Sequence, residues 1–249
     1  MMITDYNDPR VIGIDVTSSM IHLAVIHNAA PDVVGGYSFS VTTQPPYSLY
    51  NTHHHVAVAV SAAVQQITEN DSLPALAVCS KFMWRDMKVD PSAARRAAVH
   101  TLLLAELHRL RVPVTEFPLP TALRWATGAG AGKAGGMLTE LDDEARTRLT
   151  LKTQGTQEKY RDSTAILAAI AAMSVGMELG GFKTTDARLS VAAGYESPKS
   201  RKRDNRSINW TSRRTPPRSV DEWTKRHEDI AGWLKQGDEK AALSDEGAA

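Results

Sequence analysis

The chain is short of cysteine. Cys79 is its one thiol in 249 residues, so no disulfide framework exists and a reducing compartment is expected. No Cys–His pair stands at motif spacing, which argues against thiol catalysis. Long apolar runs are missing as well. The most apolar stretch, Thr164 to Met177, is Ala-rich and short for a membrane span. The N-terminus is polar and acidic, without the pattern of a signal peptide. A soluble, cytoplasmic protein without membrane association is therefore expected. Charge of one sign is also absent. The 29 Lys and Arg against 28 Asp and Glu leave a net charge of +1, so only local clusters of charge are informative. There are no internal repeats. The Gly-rich stretch from Thr127 to Gly136 lacks a Walker A motif: three residues, not four, separate Gly128 from Gly132, and Ala134 follows Lys133.

What the chain does have is a core's worth of apolar residues, 42%, enough for one large domain or a domain with an appendage. Val11–Asp15, Ile21–Ile26 and Tyr37–Val41 read as an antiparallel meander, with Asn28 to Gly36 as a polar turn region. A helix over Val56–Ile67 follows. Pro74 opens a strand, Ala75–Cys79. Pro91 opens a helix running to Leu110, and Val112–Phe117 is a further strand. A polar helix spans about Met137 to Leu151. A last helix runs from about Gln157 to Met177 and is strongly apolar after Asp162. The order β-β-β-α-β-α-β-α-α predicts an α/β fold: a mixed five-stranded sheet, three antiparallel strands plus two parallel ones, flanked by helices. This domain is placed at residues 1–190. Residues 191–249 are expected to form a basic linker, a short amphipathic helix and a disordered tail from Gly237.

Asp15 ends a buried strand. A buried carboxylate needs a metal or a hydrogen-bond network, so Asp15 is either a divalent-cation ligand or a turn cap with Thr17 and Ser18. Glu158 and Asp162 are four apart and share a helix face. They form either a solvated N-terminal turn or an acid pair that meets Asp15. Phe82 stands among Lys81, Arg85 and Lys88, a pattern that suits base stacking beside phosphate contacts and equally suits core packing. Arg124 and Lys133 flank or sit on the Gly-rich loop, where they could reach a phosphate backbone. Arg201, Lys202 and Arg203 lead a basic stretch from Lys199 to Arg218 that suits an electrostatic clamp on nucleic acid. His53-His54-His55 reads as a solvated helix entry, because three consecutive residues do not converge on one metal. Cys79 reads as a small core residue.

Taken in order, these pieces resemble the RuvC-type Holliday junction resolvases of the ribonuclease H-like superfamily. Val11-Ile12-Gly13-Ile14-Asp15 resembles that family's first strand and first catalytic Asp. Phe82 stands where the family has an aromatic that contacts DNA bases. Thr127-Gly128 with Gly130 and Lys133 is similar to its Lys-bearing loop. Arg161-Asp162-Ser163-Thr164-Ala165-Ile166-Leu167-Ala168-Ala169 is similar to its final acidic, Ala/Leu-rich helix. The match covers roughly residues 10 to 178. The chain departs from it at three places. Val16-Thr17 replace Pro-Gly, Cys79 replaces the second acid, and Ala165 replaces one of the two closing acids.

The resemblance implies a metal-dependent endonuclease that hydrolyses phosphodiester bonds in branched DNA through two Mg²⁺ ions, with Mn²⁺ as a substitute. Asp15 and Asp162 would hold the metals, with Glu158, Asp86 or Glu116 as the third acid. Phe82 would contact bases. Lys81, Arg85, Arg124, Lys133 and the basic stretch would hold phosphates. A homodimer through helices such as Ser92–Leu110 is implied too. The alternative is a catalytically impaired DNA-binding protein, because a thiol at position 79 is a poor magnesium ligand. An ATP-using member of the actin and sugar-kinase group is disfavoured, since no second core follows Met177. The C-terminal helix, through Trp223 and Trp233, either docks a protein partner or folds back on the core.

Overall fold

The run Arg10–Val16 forms the second strand, β2, of a computed structural model that describes residues 3–42, 48–69, 72–82, 92–128, 136–153, 161–195 and 208–246. Ile3–Thr4 (β1) precedes it, and Met20–His27 (β3) and Ala30–Ser40 (β4) complete the meander. Then come Leu49–Ile67 (α1), Ser72–Leu73 (β5), Leu76–Ser80 (β6), Ala93–Arg109 (α2) and Val114–Phe117 (β7). Leu119–Thr127 (α3), Met137–Arg148 (α4), Thr150–Thr153 (β8) and Ser163–Val175 (α5) follow. The chain continues through Asp186–Ala192 (α6), a 3₁₀ turn at Ser212–Arg214, Val220–Glu228 (α7) and Ile230–Glu246 (α8).

The main sheet has the order β7-β6-β2-β3-β4-β8. β3 is antiparallel to β2 and β4, while β6 runs parallel to β2 and β7 parallel to β6. These five strands have the expected ribonuclease H-like arrangement. A sixth was not expected. β8 lies parallel to β4, pairing Val33–Gly36 with Thr150–Thr153. The polar helix therefore ends at Arg148, and the alternating Thr150-Leu151-Lys152 extends the sheet edge. β4 is also longer than its sequence suggests. Residues read as a polar turn are strand from Ala30 onward, because Val34–Gly36 are paired on both sides, with β3 and β8, while Pro31 and Asp32 stay half-buried.

Helices cover both faces. α1 and α2 pack their apolar stripes on Ile12, Ile14, Ile21 and Leu23. α5 crosses the other face, and all its residues are buried. Gly13 permits that crossing: a Cβ there would lie 2.4 Å from the Thr164 carbonyl and 2.5 Å from the Ala168 amide. α1 begins at Leu49, earlier than expected, with Ser48 capping the Asn51 amide at 3.0 Å. The three histidines thus lie inside its first turns.

The C-terminal segment folds back on the core. Ile208, Trp223 and Leu234 are buried in the α5-side cluster, and Asn209 bridges to Glu116. The Trp223 indole donates to the Met173 carbonyl at 3.1 Å. Arg214, read above as part of a DNA clamp, is fully buried. It donates to the carbonyls of Ala75 and Leu234 and to Asp238. Residues 237–246, expected to be disordered, continue α8. Their helix is held because Asp238 also accepts from Tyr6, and Gly237 lets Arg214 and the Arg213 carbonyl approach.

Candidate functional site

Strand alternation sorts the residues at the carboxyl ends of β2 and β6 onto two faces. Gly13 faces α5, so Asp15 does too. Ile14 pairs with Cys79 in register, which puts Cys79 in the cluster under α1 and α2. The residue beside Asp15 on β6 is Ser80, not Cys79. Burial, then the nearby Asp15 and Glu116 carboxylates, hold the Cys79 thiol well above its ordinary pKa. It remains a neutral core thiol, as its sequence suggested.

Asp15 is 4% exposed. Its Oδ2 accepts from the Arg161 guanidinium at 2.6 Å. Arg161 stands just before α5, so the close crossing at Gly13 delivers that guanidinium to the strand end. His22 lies opposite Asp15 on β3 and contacts the Ser38 hydroxyl through Nδ1 at 3.0 Å. Burial pulls the His22 pKa down to about 4 against the pull of Asp15, so the ring is neutral. Ser80, Asp15, His22 and Ser38 thus form one polar row across four strands.

Of the expected acids, the two in the described residues, Asp162 and Glu116, do not join Asp15. Asp162 caps no amide with its side chain and instead pairs with Arg146 of α4 at 2.5 Å. The Ser163 amide donates to Asp142 at 2.6 Å. α5 starts at Ser163, which leaves Asp162 at its N-cap position. Glu158 and Asp86 lie outside the described residues. Glu116 faces α2, where its Oε1 meets His100 Nε2 at 3.0 Å. That hydrogen bond lowers its pKa against desolvation. Among the described residues, no group of three His, Cys, Asp or Glu side chains is placed to hold a metal ion. Among the described residues Asp15 is a single carboxylate paired with a guanidinium, which does not fit a two-metal centre, since that needs several acids.

Asp15 instead borders a cleft of about 680 Å³ between β2, β6, α2, α3 and α4. Lys81 and Phe82 line it. Arg96, His100 and Arg161 line it too and escaped the reading of the sequence as site residues. A signal existed for two of them: Arg96 and His100 are four apart and share a face of α2. The Phe82 ring lies 5.5 Å from the Arg96 guanidinium and 5.9 Å from the His100 ring. Arg124 does not line this cleft. It is half-buried in the last turn of α3. Arg85, Lys133, Arg201, Lys202 and Arg203 lie outside the described residues. No described helix is long and apolar enough to cross a membrane.

No protein-family model matches the chain, and no curated protein sequence matches it. Among solved structures it is similar to Thermus thermophilus RuvC in complex with a Holliday junction substrate. That match has 15% identity and a TM-score of 0.45, covering 66% of this chain and 93% of the other. It is also similar to the Thermus thermophilus RuvC structure, at 17% identity and a TM-score of 0.46, covering 68% of this chain and 98% of the other.

Proposed function

We propose that this chain binds branched DNA at the Asp15 cleft without hydrolysing it, because the described residues hold no metal centre there. The observation that carries this reading is the Arg161–Asp15 ion pair in a cleft without a second metal-binding acid among the described residues. A guanidinium there supplies the positive charge that a divalent cation would otherwise bring to the strand end. Lys81, Arg96 and Arg161 then contact phosphates, and Phe82, backed by Arg96 and His100, offers a ring to a base. The branched form of the DNA follows from the resemblance of the chain's strand, loop and helix motifs to junction resolvases.

The endonuclease reading keeps one specific support in the sequence: Glu158 is three residues ahead of Arg161, whose guanidinium touches Asp15. Incubating a labelled four-way junction with the protein and Mg²⁺ or Mn²⁺ separates the two readings. Salt-sensitive complexes in native gels, with uncut strands in denaturing gels, are expected. Symmetric cuts abolished by Asp15→Asn would overturn the binding-only reading in favour of a nuclease.

A homodimer remains part of the proposal, but α2 is not its best face. α2 buries Val99, Leu103 and Leu107 in the core. The exposed apolar side chains Leu49, Tyr50 and Val58 are on α1. Light scattering of the wild type and of Tyr50→Glu tests that face: the variant is expected to be monomeric.

A further inference from the structure

The Asp15 cleft is not shaped only for a phosphate backbone. Its volume, about 680 Å³, falls within the ~300–1,000 Å³ typical of pockets that enclose small ligands. One wall is apolar: Pro118, Leu119, Met137 and Leu138. A phosphate finds nothing there. A planar base, whose faces are apolar and whose edge is polar, does. The polar lining is divided as such a ligand requires. Lys81, Arg96 and Arg161 are cationic and half-buried, whereas Asp15, Ser80 and Thr121 are buried. Asp15 has no donor to offer a phosphate but accepts N–H donors. A carboxylate has about four acceptor positions, and the Arg161 pair leaves it capacity for an exocyclic amine. Amine recognition by a carboxylate is an established mode of base readout.

We propose that this cleft receives a single unpaired nucleotide. Its base lies against the Pro118–Leu138 wall, its amino edge meets Asp15 and Ser80, and its phosphate meets Lys81, Arg96 and Arg161. The inference rests on the DNA-binding reading above. A base can reach such a pocket only when it is out of the stack, and an open branch point lowers the cost of unstacking. The preferred bases are those with an exocyclic amine, adenine and cytosine.

The same chemistry belongs to a nucleotide within DNA and to a free nucleotide, so the test has two arms. In the first, a four-way junction carries 2-aminopurine at an unpaired position at the branch. Stacked 2-aminopurine is dim, and it brightens when held against aliphatic side chains away from neighbouring bases. Saturation with the full-length protein is expected to raise the emission. Leu138→Trp, which fills the pocket, is expected to abolish that rise at protein concentrations that still saturate the junction in native gels. Met137→Trp provides a second filling variant should the first fail to fold, as judged by circular dichroism. In the second arm, dAMP and dTMP are titrated by calorimetry, with dAMP expected to bind more tightly. A junction that binds without any change in emission overturns the pocket and leaves the DNA-binding reading standing. No junction binding, with dAMP binding lost in Leu138→Trp, sustains the pocket as a free-nucleotide site and overturns the DNA reading. Binding of neither overturns both.

Discussion

Asp15 is nearly inaccessible, at 6% side-chain exposure, whereas its partner Arg161 is 31% exposed. Removing the two partners therefore has unequal consequences. Arg161→Ala strands a buried carboxylate, and breaking a buried pair this way costs ~3–5 kcal/mol. Arg161 is partly screened by water, which reduces the expected loss to about 1–3 kcal/mol. Asp15→Asn leaves a guanidinium that can turn to solvent, and a smaller loss is expected. Urea unfolding of both variants measures the difference; equal losses would show that the pair is not the main compensation for Asp15. His22 adds a pH dependence. Its folded-state pKa is pulled down to about 4, chiefly by burial, while an unfolded histidine titrates near ~6.5. Between these values the unfolded chain binds more protons, so acid favours unfolding. This contribution is fully present above pH ~6.5 and is lost progressively as the pH falls towards 4. The difference in urea midpoint between wild type and His22→Gln across this window isolates it, with the variant expected to show the shallower decline.

At the scale of elements, the C-terminal helices are held by one arginine. Arg214 is fully buried and ties the loop before β6, through the Ala75 carbonyl, to α8, through the Leu234 carbonyl and Asp238. Arg214→Met retains bulk but leaves these acceptors without their donor. A loss of about 2–4 kcal/mol is expected, with hydrogen exchange accelerating first along α8. Unchanged exchange there would show that the apolar contacts of Trp223 and Leu234 suffice. The same residue shows where the sequence stopped being legible. Arg213 and Arg214 read alike in one basic run, and nothing local separates the fully buried arginine from its half-buried neighbour. The acceptors that stabilise Arg214 come from Ala75 and from Leu234, far away in the chain. The meander, β6, β7 and α5 were legible because their apolar periodicity is local. β8 was not, since its four residues become a strand only by pairing with β4. In the cleft, Asp15 and Phe82 stood out by position. Arg161 did not, because its role depends on how closely α5 crosses Gly13.

For the whole molecule, the net charge of +1 conceals two populations of cations with different work. Arg10 and Arg214 are buried and satisfy backbone carbonyls, so they have no charge to offer a ligand. Lys81, Arg96 and Arg161 line the cleft, and Arg201, Lys202 and Arg203 lie in the basic run near Ile208. The proposed DNA binding distinguishes these populations, because each phosphate neutralised releases counterions and steepens the salt dependence. The slope of log K against log salt falls by ~0.9 for each duplex phosphate that the protein no longer neutralises. Replacing Arg201, Lys202 and Arg203 together with alanine is expected to make the slope shallower by up to ~3, one phosphate for each cation removed, with no change in the urea midpoint. Lys81→Ala is expected to shift it by ~1. Arg214→Met should do the reverse: lower the urea midpoint and leave the slope, measured on the folded fraction, where it was. Fluorescence anisotropy of a labelled four-way junction over a salt series measures all three. A slope unchanged by the triple replacement would remove the basic run from the DNA interface and leave the cleft to hold the junction alone.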